Sequence, residues 1–310
     1  MAHPASVPGA RALLQPDTAP GPGLVDLHLH TTASDGTCGP AELVRRLARA
    51  GIRAFSVTDH DTVDALADVA ALARQEGLEV VTGIEISAMR DGRDVHVLGY
   101  GFDPASARLQ AFLRDQRADR VDRVGRMAAR LADLGAPVDV GPLLERALHH
   151  PGCSIGRPQV ARALVQAGHA VSVQAAFDRY LASGRPAHVP RRVVSPAEVV
   201  SVIMDAHGIA SLAHPGLLGR DAWIAEFAGV GLAAIEAHHY DHDDAATARY
   251  RVLAAGLGLA VSGGSDDHGE ASGRPSAIGW VSLPAEDYER LLARAREAGC
   301  SRVPSRPRRA

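Results

Sequence analysis

Residues 24–30 alternate strictly, with Val25, Leu27 and Leu29 on one side and Asp26, His28 and His30 on the other, the period of a β-strand. This is the first of a series of short apolar strand patterns, each followed by a helical one, and no other feature constrains the fold as much. A helix follows with Pro40 in its first turn, Leu43, Val44 and Leu47 on one face, and Gly51 as its stop. Strand patterns recur at residues 55–58, 79–86 and 95–100, with a helix over 63–75. The rhythm then breaks. From 105 to 190 only helical patterns occur, the clearest running through Leu109, Phe112, Leu113, Val121, Val124, Met127, Leu131 and Leu134.

Alternation resumes at Ser195, where Ser195-Pro-Ala-Glu198 reads as a capping box. Further strands are expected near 209–213, 233–237 and 259–262, each with a helix after it, and the last helix spans about 286–298. The expected architecture is an α/β chain of about seven β/α units, closed like a barrel and split by an all-helical cap, with its site at the C-terminal strand ends. The corresponding segments are a Pro/Ala-rich disordered leader (1–23), the first part of the barrel (24–104), the cap (105–190), the second part (191–300) and a basic tail (301–310).

With 310 residues, 46% apolar and 22% charged, the chain can bury a sizeable core. A net charge of −3 gives it no general basic footprint for long duplex nucleic acid. Three scattered cysteines form neither a disulfide framework nor a CxxC zinc knuckle. No apolar run is long enough for a membrane span and no secretory signal pattern opens the chain, so a cytoplasmic protein is expected. All 33 basic residues are arginine. Without lysine there is no Walker A loop, no Schiff-base lysine and no carbamylated-lysine bridge.

The histidines and carboxylates gather at the ends of the expected strands. His28 and His30 project from one face about 7 Å apart at Cα, a spacing from which two imidazoles can converge on one metal ion. Asp35 lies in the loop beyond, His60 in Thr58-Asp59-His60-Asp61, Glu85 in Gly83-Ile84-Glu85 and His96 in Asp94-Val95-His96. His214-Pro215 and Ser265-Asp266-Asp267-His268 end two later strands. Packed without a cation, such a set would leave many desolvated polar groups unsatisfied.

These motifs, in this order from about residue 24 to 299, resemble the polymerase-and-histidinol-phosphatase (PHP) superfamily, and within it the TrpH-like phosphoesterases. The resemblance implies a distorted seven-stranded TIM-like (β/α)7 barrel with a trinuclear centre of divalent ions, usually Mn²⁺, with Zn²⁺ or Fe²⁺ as alternatives. Carried over residue by residue, it implies His28, His30, Glu85 and Asp266 on a first metal, with Glu85 shared by His96 and His214 on a second. Asp35, His60 and His268 would hold a third. The family often has an aromatic residue where Asp267 stands, which leaves Asp267 as a competitor of Asp266.

The function implied is a metal-dependent phosphatase in which a metal-bound hydroxide attacks a phosphate monoester of a small nucleotide, chiefly the 3′-phosphate of a nucleoside 3′,5′-bisphosphate. Alternatives are a 5′-3′ exoribonuclease on short RNA, a histidinol phosphatase, or a non-enzymatic metal-holding accessory domain. A second phosphate would have to be met by arginine, for which Arg157 and Arg185 are the candidates, ahead of Arg191 and Arg192. His242 is a candidate acid for the leaving group, while Glu236, His239 and Tyr240 form a polar cluster of open role.

Overall fold

The structure, a computed structural model, describes residues 23–272 and 275–300. The expected leader, apart from Gly23, and the basic tail lie outside the described residues. The first stretch contains β1 (Leu24–Asp26), α1 (Pro40–Arg49), β2 (Ile52–Phe55), α2 (Leu66–Gln75), β3 (Glu79–Val80), β4 (Gly83–Arg90) and β5 (Arg93–Tyr100). Helices alone follow: α3 (Ala107–Asp133), α4 (Gly141–His149), α5 (Arg157–Gln166), α6 (Val173–Ala176) and a π-helical turn (Phe177–Leu181). The chain then runs α7 (Pro196–Asp205), β6 (Ile209–Leu212), α8 (Pro215–Leu218), α9 (Ala222–Gly229), β7 (Ala234–His239), α10 (Asp244–Leu257), β8 (Ala260–Gly264), a 3₁₀ turn (Glu270–Ser272) and α11 (Ala285–Glu297).

The strands form two sheets, β1-β2-β3 and β4-β5-β6-β7-β8. The first sheet is parallel, as are β6, β7 and β8. The expected run of parallel β/α units fails at one place. The single strand read over 79–86 is two, β3 and β4, in different sheets, and β4 pairs antiparallel with β5. The cause is the two-residue turn Asp91-Gly92, in which both residues have positive φ (49° and 72°), the Asp-Gly turn that returns a strand on itself. β5 then pairs antiparallel with β6.

The sheets do not merge into one ladder, but backbone bonds join them at both edges. Leu27 N donates to Gly263 O (3.1 Å) and Asp266 N to His28 O (2.9 Å), carrying the line of β1 along β8. His60 bridges Glu85 beyond β2, and Asp61 N donates to Glu85 O at 2.9 Å.

Three apolar clusters hold these layers. One joins β4–β8 to α7, α9, α10 and α11 through residues such as Ile86, Leu98, Ile203, Ile235 and Leu291. A second packs α1 and α2 on β2 through Leu43, Leu47, Phe55 and Val69. A third lies within the helical block, built on Val124, Met127, Leu131, Leu164 and Tyr180. α3 belongs to both the first and the third, and between its two apolar ends lie buried Arg117, Arg120 and Arg123.

Candidate metal centre

Six histidines and three carboxylates from separate elements meet where the two sheets adjoin. Glu85 is the hub. Its Oε2 lies 3.2 Å from His28 Nε2, 3.3 Å from His30 Nε2 and 3.2 Å from His60 Nδ1. Its Oε1 lies 2.9 Å from His96 Nδ1 and 3.1 Å from His214 Nε2. Antiparallel pairing explains part of this: His96 faces Ser87 across the ladder, a diagonal neighbour of Glu85 on the same face. Asp266 Oδ1 lies 3.3 Å from His28 Nε2 and 3.2 Å from His30 Nε2. Asp35 Oδ1 lies 3.3 Å from His268 Nε2, and its Oδ2 3.7 Å from His60 Nε2.

The backbone is strained to achieve this. Asp266 and His214 have positive φ (54° and 29°), a conformation uncommon for residues other than glycine. The loop bearing Asp35 is fixed by Asp59, which accepts from Thr31 N (2.7 Å), Thr31 Oγ1 (2.6 Å) and Ser34 Oγ (2.6 Å). Asp59 is thereby a builder of the loop. Asp267 is turned away from the cage: Oδ2 accepts from Gly269 N (3.0 Å) and Oδ1 from Ala277 N (2.9 Å). Of the two neighbouring aspartates, Asp266 is the one that faces the histidines.

The electrostatics favour positive charge at the centre. Burial works to raise the Glu85 carboxyl, but His60, His96 and His28 outweigh it and hold it well below the usual range. Asp35 and Asp266 are held down against burial in the same way, by His60 and His268 for the first and by His28 and His268 for the second. Burial opposes charging His28 and His30, yet the surrounding carboxylates raise both. Burial lowers His60 to about 3, so that ring is held neutral.

Several ring nitrogens have no hydrogen-bond partner although buried: both of His30, both of His96, and Nδ1 of His60. Buried polar atoms are rarely left so. Imidazoles and ionised carboxylates converging in this way are the donor set of a divalent cation site, where a bound cation takes the place of the protons that the carboxylates otherwise draw onto His28 and His30. Residues His28, His30, Glu85 and Asp266 could hold one ion, and so could His30, Asp35, His60 and His268, or His60, Glu85 and His96.

Behind the cage stands a layer that sequence reading left without a role. Glu236 Oε1 lies 2.9 Å from His28 Nδ1, and its Oε2 accepts from His214 N at 2.7 Å. Asp61, after His60, takes Arg120 Nε (2.7 Å) and Nη2 (2.6 Å) on Oδ2 and accepts from Ser87 N (2.8 Å) on Oδ1. Arg117 Nη1 donates to Asp61 O at 3.2 Å.

The other expected site residues fall farther out. Arg157 pairs with Asp94 Oδ2 at 2.6 Å, and Arg191 Nε lies 2.9 Å from Oδ1 of the same carboxylate. Arg185 is exposed, and Arg192 pairs with Asp115 at 3.4 Å. His242 is engaged at both nitrogens, with Nδ1 donating to Ala237 O (2.9 Å) and Nε2 accepting from Gly216 N (3.1 Å). That leaves it no idle proton for a leaving group and makes it a clamp between β7 and α8. Tyr240 is half-buried beyond β7.

A cavity of about 480 Å³ opens on Asp35, His60, Glu85, His96, His214, Asp266 and His268, with Pro158, Arg162, Val173, Phe177 and Leu217 as its outer wall. A second, of about 550 Å³, shares His96, His214 and Leu217 with it and is lined by Arg93, Arg123 and Arg191. Among the described residues no helix is long and apolar enough to cross a membrane.

A family model described as the PHP domain matches residues 26–183. The chain is 32% identical over 257 residues to a 3′,5′-nucleoside bisphosphate phosphatase of Chromobacterium violaceum, an alignment covering 80% of this chain and 88% of that one. It is 32% identical over 252 residues to the 5′-3′ exoribonuclease Rnm of Escherichia coli, covering 79% of this chain and 85% of the other. A solved chain from Bifidobacterium adolescentis superposes with a TM-score of 0.81 at 29% identity, covering 89% of this chain and 98% of its own.

Proposed function

The chain belongs to the PHP domain family, and from that premise we propose that it is a metal-dependent phosphoesterase that hydrolyses a phosphate monoester of a small nucleotide. The favoured substrate is a nucleoside 3′,5′-bisphosphate, from which the 3′-phosphate is released. The observation that carries this reading is Glu85, whose two oxygens face different sets of histidines, His28, His30 and His60 on one side and His96 and His214 on the other. A carboxylate so divided is what two adjacent cations need between them.

In this reading His28, His30, Glu85 and Asp266 hold one divalent ion, Glu85, His96 and His214 a second, and Asp35, His60 and His268 a third, with Mn²⁺ the expected metal and Zn²⁺ or Fe²⁺ alternatives. When bound, such ions polarise phosphoryl oxygens and lower the pKa of water. Glu236 and Asp59 keep the cage in shape, the first through His28 and His214 and the second through the loop of Asp35. The edge bridges support taking the two sheets as one distorted barrel, and the 107–181 helices as a cap over its mouth, since Pro158, Val173 and Phe177 wall the cavity. Arg157 and Arg185 remain candidates for a second phosphate, with Arg157 tied to Asp94. A cytoplasmic setting suits such substrates.

The test is product analysis from adenosine 3′,5′-bisphosphate with added Mn²⁺. Inorganic phosphate and adenosine 5′-monophosphate are expected. No phosphate from this substrate, alongside hydrolysis of histidinol phosphate, would overturn the assignment. Trimming of short RNA is the second reading, favoured by the two adjoining cavities that share His96 and His214. A ladder of mononucleotides from a 5′-phosphorylated oligoribonucleotide would establish it.

A further inference from the structure

Strand β7 aims two polar side chains at the cage, Glu236 and His239, and the second has no role in the account so far. Strict alternation would put Glu236 and His238 on one face and His239 on the other. The register of β7 against β8 shifts between Glu236 and His238, a bulge of the kind that re-aims a side chain. Glu236 and His239 therefore both face the histidine cluster, while His238 turns toward Arg251 and Asp287. His239 is 3% exposed, and its ring lies 5.4 Å from that of His214 and 6.1 Å from that of His28.

Its tautomer follows from its neighbours. Asp241 N–H donates to His239 Nδ1 at 3.1 Å, so Nδ1 is an acceptor and the neutral ring carries its proton on Nε2. A protonated nitrogen cannot ligate a cation, and moving the proton to Nδ1 would set it against the Asp241 N–H. Nε2 has no aligned hydrogen-bond partner among the described residues, and Asp266 Oδ2 lies 3.4 Å from it. The other oxygen of Asp266 is the one that faces His28 and His30.

We propose that His239 is a positioning residue, whose Nε2–H steers Asp266 by Oδ2 so that Oδ1 alone is presented to His28, His30 and Glu85. The proposal rests on the reading of the cage as a cation site. Outer partners of metal ligands commonly change affinity or activity by about 10- to 100-fold.

The experiment compares wild type, His239→Gln and His239→Phe after chelator stripping and reconstitution, measuring Mn²⁺ per chain and affinity by chelator competition, with the melting temperature of the stripped proteins alongside. Gln keeps an N–H donor near the place of Nε2, whereas Phe fills the ring's space without one. Affinity lowered about 10- to 100-fold in His239→Phe and largely restored in His239→Gln is expected, with the stripped melting temperatures alike. Equal affinity in the two variants, whether both keep it or both lose it, overturns the proposal. A wild-type chain that took up no Mn²⁺ would overturn the metal centre itself, and this inference with it.

Discussion

Glu236 Oε1 lies 2.9 Å from His28 Nδ1, and neither side chain is exposed at all. Because Glu236 Oε2 also takes the His214 N–H, one carboxylate orients ligands from two strands. Glu236→Ala leaves both N–H groups buried without partners, at about 1–3 kcal/mol each. The expected loss is about 2–6 kcal/mol in urea unfolding, with Glu236→Gln losing less because its carbonyl still accepts. Unchanged stability in Glu236→Ala would show that the contact is idle.

Arg120 and Asp61 form a second buried pair, tying α3 of the helical block to the loop after His60. Removing one member of a buried pair costs about 3–5 kcal/mol, because the other charge stays behind. Arg120→Met is expected to lose that much, and Asp61→Asn in the same chain to recover part of it. A double variant no more stable than Arg120→Met would rule out this account of the pair.

Gly83, the first residue of β4, lies against residues 56–58 just beyond β2. A Cβ there would meet Ser56 Oγ at 1.9 Å and Val57 O at 2.9 Å. Overpacking of this kind costs about 1–3 kcal/mol. Since Gly83 begins the strand bearing Glu85 and faces the segment leading to His60, Gly83→Ala should also weaken Mn²⁺ uptake. Chelator competition checks this, and wild-type affinity would show that the two strands move independently of the site.

Metal should stabilise the fold by mass action, by about 2.7 kcal/mol for each site at a free concentration 100 times its dissociation constant. Titrating Mn²⁺ into stripped protein is expected to raise the melting temperature, and Glu85→Gln to abolish most of the rise. A melting temperature indifferent to Mn²⁺, or a rise equally large in Glu85→Gln, would contradict the role given to Glu85.

The residues of the cage were legible in the sequence because they sit in short motifs on or beside strand patterns, His28 and His30 by alternation and His214 by its place after an apolar run, although the structure puts Glu85 near the start of β4 and His96 inside β5 rather than at strand ends. The order of helices and strands was legible for the same reason. The β4–β5 hairpin was not, although Asp91-Gly92 signals it, because residues 79–86 read as one continuous strand. Glu236 and His239 stood out as a polar cluster, but their common aim was hidden by a bulge that breaks the period of two. Arg117, Arg120 and Arg123 carry no local sequence signal of burial, and only the packing of α3 across two cores buries them. Arg157 stood out by motif, yet its pairing with Asp94 joins residues 63 positions apart, beyond any local pattern.

The central claim is that these nine side chains form one centre for several cations. Anomalous diffraction at the manganese edge from crystals grown with Mn²⁺ tests it directly. Adjacent peaks on either side of the Glu85 carboxylate, ringed by His28, His30, His60, His96 and His214, are the predicted result. Peaks elsewhere on the molecule, or none at this carboxylate in metal-replete crystals, would contradict it.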